Sequence, residues 1–532
     1  MKFNEQLGAV FDRAVINKKF SSLLCFIAGI IATIPYYIEW LFVCTFLSLI
    51  LLFRVVIKEK QEQKRIFSPF FWYYTGHYVF LYLFLSEMYP FSRFGFNSNQ
   101  AIFILICSCV AIPLLHAVVS ASIMIISRFF RTRYISVLGF ASLFVIIEWV
   151  MSLGTLAFPW GSISVSLIGC LPYLQTASLF GKYFITFITV AGCYFIADSN
   201  IEKERKYAVF GVVIIISNLL IGLLLWYIPP EKSNNVNTAV IQGNVLSNEK
   251  WERENASTIF NRYVDMTEKA AIDGSKVILL PESAIPITFL EGGKLHSTFA
   301  EIASEYDCTI ILGVHYFEPT TKEYFNSVIA VYPDGTLSER YDKRHLVPFG
   351  EFIPFVDTIG KMFPFVAEFS NDTSTLTEGY ESVIISTEYG DFAPLVCFDS
   401  IFPKFAKEAV DDGADYIAVV TNDSWFNDSA GIFTHLRHAQ LRAIENKRYV
   451  IRAANTGVSS IINERGQLIV KTQPLTPDKV DLDVYTISTK TLYSSIGDIF
   501  LYISFSIIIF AIIYFIRSYF YGNHSASSNR DL

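Results

Sequence analysis

Three residues of this chain have the chemistry of a covalent acyl carrier. Cys397 ends the apolar run Phe392-Ala393-Pro394-Leu395-Val396 and is followed by Asp399-Ser400. Glu282 ends Val277-Ile278-Leu279-Leu280-Pro281, and Lys343 lies in Tyr341-Asp342-Lys343-Arg344-His345. A thiol at neutral pH is mostly protonated, so it needs a base before it can attack a carbonyl. Glu282 is the candidate base. Lys343 is the candidate cation for the oxyanion that forms on the attacked carbonyl. Singly, each residue is weak: such a Glu is usually a solvated turn residue, such a Lys surface, such a Cys core. Their separation in sequence is no obstacle, because strand ends in an α/β sheet converge at one edge.

The elements that must position them fall in one polar block, residues 229–497. Short apolar runs at 238–241, 276–280, 309–313, 327–331, 392–396, 416–420 and 459–462 read as strands. Helical patterns at 251–272, 295–306, 404–412 and 435–447 alternate with them. Alternation of this kind predicts a layered α/β domain.

Membrane-length segments flank the block. The chain of 532 residues is 52% hydrophobic and only 17% charged, against about 25% charged in soluble proteins. Eight apolar stretches, near 20–36, 38–57, 68–88, 101–127, 135–154, 182–198, 207–228 and 498–516, are long enough to span a bilayer. Basic residues cluster after alternate spans: Lys58, Lys60, Lys64 and Arg65, then Arg128, Arg131 and Arg133, then Lys203, Arg205 and Lys206, and finally Arg517. With Lys18 and Lys19 ahead of the first span, all lie on one face if both termini are cytoplasmic. The expected division is an N-terminal membrane domain at 1–228 with about seven spans, an extracytoplasmic catalytic domain at 229–497, and a C-terminal helix with a cytoplasmic tail, disordered after Tyr521, at 498–532.

The net charge of −7 argues against nucleic acid as a partner. The eight cysteines show no zinc spacing, and no metal or cofactor is expected. Six of them lie in or beside apolar segments, leaving Cys308 and Cys397 in the polar block, where a disulfide between the two is the alternative to a free nucleophile. His435 and His438 are three apart on a predicted helix, but no carboxylate at helical spacing completes a metal site.

The strings around the three residues carry more information than the residues alone. Leu280-Pro281-Glu282-Ser283, then Tyr341-Asp342-Lys343-Arg344-His345-Leu346-Val347-Pro348-Phe349-Gly350-Glu351, then Val396-Cys397-Phe398-Asp399-Ser400 resemble the nitrilase superfamily in that order. With the flanking spans, the resemblance narrows to its membrane-embedded branch, the apolipoprotein N-acyltransferase family. Gln242-Gly243-Asn244 with Trp251 downstream, Thr421-Asn422-Asp423-Ser424-Trp425-Phe426, Arg442-Ala443-Ile444-Glu445, Ala454-Asn455-Thr456-Gly457 and Phe158-Pro159-Trp160-Gly161 are also similar to that family.

The resemblance implies an αββα sandwich and a Glu-Lys-Cys triad of Glu282, Lys343 and Cys397. Glu351 matches a second acidic residue near that triad. The family commonly follows its Cys with an aromatic residue and Glu; here Phe398 and Asp399 follow, the carboxylate one methylene shorter. A displacement of about 1 Å can slow a reaction strongly, so Asp399 is a point of departure. The implied reaction is ping-pong transfer of an acyl chain from a membrane phospholipid, through a Cys397 thioester, to the N-terminal diacylglyceryl-cysteine amine of an apolipoprotein. It implies a bacterial inner-membrane protein, expected to be a monomer.

Residues themselves support a lipid substrate. Phe352-Ile353-Pro354-Phe355 and Met362-Phe363-Pro364-Phe365-Val366 are too apolar for a solvated loop. Phe363 and Phe365 are candidates to meet acyl chains, and Trp251 and Trp425 to line a lipid entrance; packing within the domain is the alternative. Two other functions share the motifs: a membrane-tethered amidase using water as acceptor, and a non-catalytic lipid-binding relative. Eight spans and a greasy loop disfavour the first, and an intact triad the second.

Overall fold

The computed structural model describes residues 18–61, 66–91, 96–202, 204–363 and 376–528. Among them, seven helices are long and apolar enough to cross a bilayer: Lys19–Tyr37, Glu39–Gln61, Ser98–Phe129, Arg133–Val150, Ala177–Ser199, Arg205–Tyr227 and Ile499–Phe520. Ala177–Ser199 lies at the centre of the bundle, 72% buried, whereas Arg205–Tyr227 is 17% buried and turns its apolar side chains outward. That outward face is what lipid would cover, since water would not tolerate it.

The third stretch, 68–88, departs from expectation. Its α-helix covers only Phe67–Leu81 and then tightens into a 3₁₀ helix, Tyr82–Met88. The last helix also runs beyond its apolar stretch, from Ile499 to Ser528, where the sequence predicts disorder.

The polar block folds into two facing sheets. Its strands are β1 (Asn235–Gln242), β2 (Val277–Leu279), β3 (Thr288–Phe289), β4 (Thr309–Glu318), β5 (Glu323–Val331), β6 (Tyr341–Asp342), β7 (Ile385–Thr387), β8 (Gly390–Val396), β9 (Tyr416–Thr421), β10 (Tyr449–Ala454), β11 (Ser460–Ile462), β12 (Leu468–Lys471) and β13 (Asp478–Tyr485). One sheet runs β13-β1-β2-β4-β5-β6 with β3 beside β4, the other β12-β11-β10-β9-β8-β7.

Side chains between the sheets form a core: Val240, Leu279, Ile311 and Val328 from the first meet Val396, Ala418, Val420 and Ile451 from the second. Helices Ala256–Ile272 and Lys294–Tyr306 cover the outer face of the first sheet through Phe260, Tyr263, Phe299 and Ile302. Helices Pro403–Asp411 and Ala430–Asn446 cover the second. The result is the expected four-layer αββα sandwich. Covered on both faces, β9 is buried at every position, Tyr416 through Thr421.

The second sheet's outer helices also face the membrane domain. Ile432 and Leu436 share one continuous apolar core with Tyr82, Phe84 and Trp160 of the membrane domain. Polar bonds cross the same boundary. Arg437 donates to the carbonyls of Pro35 and Tyr36, each at 3.0 Å. Glu445 accepts from the backbone N–H of Lys182 at 3.2 Å. An unpaired buried charge would be costly here, so these bonds fix how the sandwich seats on the helices.

Candidate active site

Glu282, Lys343 and Cys397 converge from three strand ends, and Glu351 joins them. The Lys343 ammonium lies 3.3 Å from Glu282 Oε1 and 2.8 Å from the Glu351 carboxylate. Lys343 is 1% exposed. Burial alone would favour a neutral amine, but Glu282 and then Glu351 outweigh it and hold the ammonium well above the usual lysine range.

Glu282 is fixed by donors on both oxygens. Asn326 Nδ2 donates to Oε1 at 2.6 Å, and the backbone N–H of Asn422 donates to Oε2 at 2.7 Å. Asn326 also donates to Glu351 Oε1 at 2.9 Å, and the N–H of Val347 to Glu351 Oε2 at 2.8 Å. Burial pushes the Glu282 carboxyl up, yet Lys343, and next the Asn326 bond, bring it below the usual carboxylate range. The position depends on Gly313 in β4, where an added Cβ would come within 2.5 Å of the Pro281 carbonyl and 2.7 Å of Glu282 Cα. Only glycine lets the strand pass that close.

Cys397 sits at the turn between β8 and a short 3₁₀ helix, Cys397–Ile401. Its φ of 49° is left-handed, a conformation that costs a non-glycine residue about 1–2 kcal/mol and often marks functional sites. It is free, as is Cys308, so the two form no disulfide. Burial pushes the thiol pKa up strongly; Glu282 adds to this, and Lys343 opposes it. The resting state is therefore thiol plus carboxylate. Alkylation requires thiolate, so the rate at which iodoacetamide labels Cys397 should climb with pH, about tenfold per unit from roughly pH 6 to 9. Peptide mass spectrometry on Cys397 measures this, and a plateau near neutrality would contradict it.

Phe398 and Asp399 face away from the acidic pair. The Phe398 ring stacks on Phe158 at 6.0 Å and on His345 at 5.6 Å, inside the aromatic contact with the membrane domain. Asp399 is fully buried and accepts from Tyr341 Oη at 2.9 Å, His345 N at 2.9 Å, Arg344 N at 3.3 Å and Val396 N at 3.4 Å. Burial raises its carboxyl to about 6, against the pull of Lys343 and the Tyr341 bond. The carboxylate thus clasps the Lys343 segment to the Cys397 turn, and one methylene fewer reaches every partner. Asp399→Asn puts a donor against donors. Leaving one or two unpaired should cost about 1–3 kcal/mol each, read as a lower thermal midpoint in detergent; an unchanged midpoint would remove the clasp.

The aromatic candidates divide. Trp251 is half exposed and lies 5.1 Å from the His315 ring, next to Lys250, whose ammonium lies 3.4 Å from the Glu282 carbonyl. Ser247 Oγ lies 2.6 Å from Ser424 Oγ, bringing the segments that carry Trp251 and Trp425 together. Phe363 meets Phe103 of the membrane helix Ser98–Phe129 at 4.9 Å. Phe365 lies outside the described residues. His435 and His438 do not pair: His435 bonds Asp423, whereas His438 Nε2 is 3.3 Å from the Trp160 carbonyl. No metal-binding cluster occurs among the described residues.

Sequence reasoning missed Asn326, Asn422 and Tyr341 as site residues. Asn326 lies inside the strand Glu323–Val331 and carries no local signal. Asn422 belongs to a string that resembled the family, but it contributes its backbone N–H.

The comparisons with known proteins bear on both halves of the chain. Residues 237–490 match the family model described as carbon-nitrogen hydrolase. Residues 28–195 match the apolipoprotein N-acyltransferase N-terminal domain. The apolipoprotein N-acyltransferase of Geobacter metallireducens is 30% identical over 379 residues, 69% of this chain and 72% of that one. The same-named protein of Pasteurella multocida is 26% identical over 91% of this chain and 94% of its own length. Among solved structures, Saccharomyces cerevisiae Nit3, a member of branch 10 of the nitrilase superfamily, aligns with 48% of this chain and 91% of its own at 18% identity, with a TM-score of 0.39. With a relative at 30% identity matched over 72% of its length, and with each half of the chain matching its own model, the chain belongs to the apolipoprotein N-acyltransferase family.

Proposed function

We propose that this protein transfers an acyl chain from a membrane phospholipid, through a thioester on Cys397, to the α-amine of a diacylglyceryl-cysteine at the N-terminus of an apolipoprotein. The observation that carries the proposal is one cluster of buried base and buried ammonium beside a half-buried thiol, in a domain whose core continues into apolar helices.

Glu282 takes the thiol proton as sulfur attacks the acyl ester. The oxyanion develops beside Lys343, and the ester bond breaks. The leaving lysophospholipid oxygen takes the proton from Glu282. The incoming amine then attacks the thioester, Glu282 accepts a proton from its nitrogen, and the thiol is restored. Glu282, Glu351, Lys343 and the thiol sum to one negative charge before proton transfer and one after it. A buried site therefore never has to accommodate a changed net charge during activation.

Topology supports access from outside the cytoplasm. The 15 residues of Phe67–Leu81 and the seven of Tyr82–Met88 together rise about 36 Å, enough for the ~30 Å hydrocarbon core. Counting this segment as a span brings Lys58, Lys60, Arg128, Arg131, Arg133, Arg205, Lys206 and Arg517 to the N-terminal face and puts 229–497 on the other. Omitting it splits the basic clusters between faces. A membrane-impermeant thiol reagent should label a cysteine introduced on the catalytic surface in spheroplasts; labelling only after lysis would reverse the orientation.

The acyl carrier is tested directly. Purified protein mixed with acyl-labelled phospholipid should gain a hydroxylamine-labile adduct on Cys397, absent in Cys397→Ser, and a diacylated peptide should discharge it onto its amine. Free fatty acid without an adduct would point to a hydrolase instead.

A further inference from the structure

We propose that His435 is a positioning residue for the nucleophile, holding the backbone of Cys397 in its left-handed turn through the Cys397 carbonyl. This rests on Cys397 being the acyl carrier, but not on the identity of the acyl donor.

His435 stands on helix Ala430–Asn446, behind the second sheet and outside the triad. It is 1% exposed. Its Nδ1 lies 2.8 Å from Asp423 Oδ1, and its Nε2 lies 3.0 Å from the Cys397 carbonyl and 3.2 Å from Ser400 Oγ. Ser400 Oγ is itself 2.7 Å from the same carbonyl. A carboxylate and a carbonyl only accept, so His435 makes both bonds with both ring nitrogens carrying a proton, and with Ser400 it forms a small clamp around the Cys397 oxygen.

Asp423 anchors the clamp. Its other oxygen takes a bond from Arg452 at 2.7 Å, and both partners are fully buried. Burial would raise the Asp423 carboxyl, but Arg452, and then His435, hold it down at about 2. The Thr421 hydroxyl also donates to Asp423 Oδ1, at 3.1 Å. Cys397 is thus gripped at its carbonyl by His435, and that grip ends on one ionised carboxylate.

The membrane domain completes the support. The Trp160 ring is 5.6 Å from His435, packed between it and Phe84 at 5.2 Å. Trp160 is 2% exposed and belongs to the string Phe158-Pro159-Trp160-Gly161. The imidazole therefore has no room to swing off the carbonyl. A left-handed cysteine persists only when its surroundings over-determine it. His435 is a part of those surroundings that the triad chemistry leaves unexplained.

The test measures single-turnover acylation of Cys397 in the full-length protein by intact mass, with two donors. One is phospholipid in mixed micelles. The other is a p-nitrophenyl acyl ester, which needs the nucleophile but not lipid recognition. His435→Ala should lower the limiting acylation rate about 100-fold with both donors, the loss typical of a ~1 Å misplacement, and leave the half-saturating donor concentration within about twofold. His435→Gln can return an amide to the Nε2 position and should recover at least about tenfold of that loss. His435→Asn reaches only the Nδ1 position, satisfies Asp423 alone, and should stay near the alanine variant. A loss shared equally by Gln and Asn would make His435 merely structural and overturn the proposal. So would an unchanged rate in His435→Ala, or a change confined to half-saturation. If wild-type protein reacts with the nitrophenyl ester but not with phospholipid, the acyl-donor reading fails while the ester series still decides the role of His435.

Discussion

Lys343→Met should abolish measurable acyl transfer and destabilise the protein at the same time. The two effects have separate causes. Losing the cation beside the oxyanion should cost at least about 10²–10³ in rate, as loss of one such donor does. Removing the ammonium also leaves the buried Glu282 and half-buried Glu351, joined by Asn326, without their common counter-charge. Breaking a buried pair from one side costs about 3–5 kcal/mol, unless one carboxyl takes up a proton. If Glu282 does so, the base is lost too. Stability should then fall as pH rises above the ordinary carboxylate range, because protonated carboxyls are now the ones that fit the site. Glu351→Gln in the Lys343→Met background should restore much of the thermal midpoint and none of the activity. Thermal melts across pH, with adduct formation on the same samples, separate the two. A variant that keeps its midpoint at all pH values would mean that the two carboxylates are not held by Lys343.

The sandwich was legible because its strands announce themselves. Val277–Leu279 and Tyr416–Thr421 are apolar runs between polar loops, and a strand covered on both faces has to read that way. Asp478–Tyr485 was missed for the complementary reason. It is a half-exposed edge strand, its charges alternating with apolar residues, paired only to β1. The membrane helices were legible by length. The exception at Tyr82–Met88 was not, since tightening of a helix end depends on neighbours such as Phe158, whose ring lies 5.1 Å from Tyr82.

The triad was visible through its strings, but the supports were not. Asn326 resembles any polar residue in a strand, and nothing local says that it bridges two carboxylates. His435 drew attention only through its spacing to His438, which suggested a metal. Its actual partners, Asp423 and the Cys397 carbonyl, are 12 and 38 positions away. Asp399 shows the converse: its departure from the family pattern was legible, and only the clasp geometry explains how a shorter carboxylate serves there.

Glu282→Gln should separate the reactivity of the nucleophile from turnover, moving the two in opposite directions. Glutamine cannot take the thiol proton, so acyl transfer should fall by about 10²–10⁴, the usual contribution of a positioned base. Its amide also cannot satisfy the site. With its oxygen toward Lys343 and Asn326, its NH₂ meets the N–H of Asn422, donor against donor, at a cost of about 1–3 kcal/mol. Yet the charge of Glu282 is one of the causes that raise the Cys397 thiol, and Lys343 is the cause that lowers it by charge. Removing the first and keeping the second brings the thiol pKa down, so more thiolate is present at neutral pH. Iodoacetamide should therefore label Cys397 faster in Glu282→Gln than in the wild type, while phospholipid acylates it more slowly. Lys343→Met should slow both. If Glu282 served only to pair with Lys343, turnover would survive in Glu282→Gln; if it did not face the thiol, labelling would not change. Only a base close to the sulfur gives faster labelling together with lost turnover.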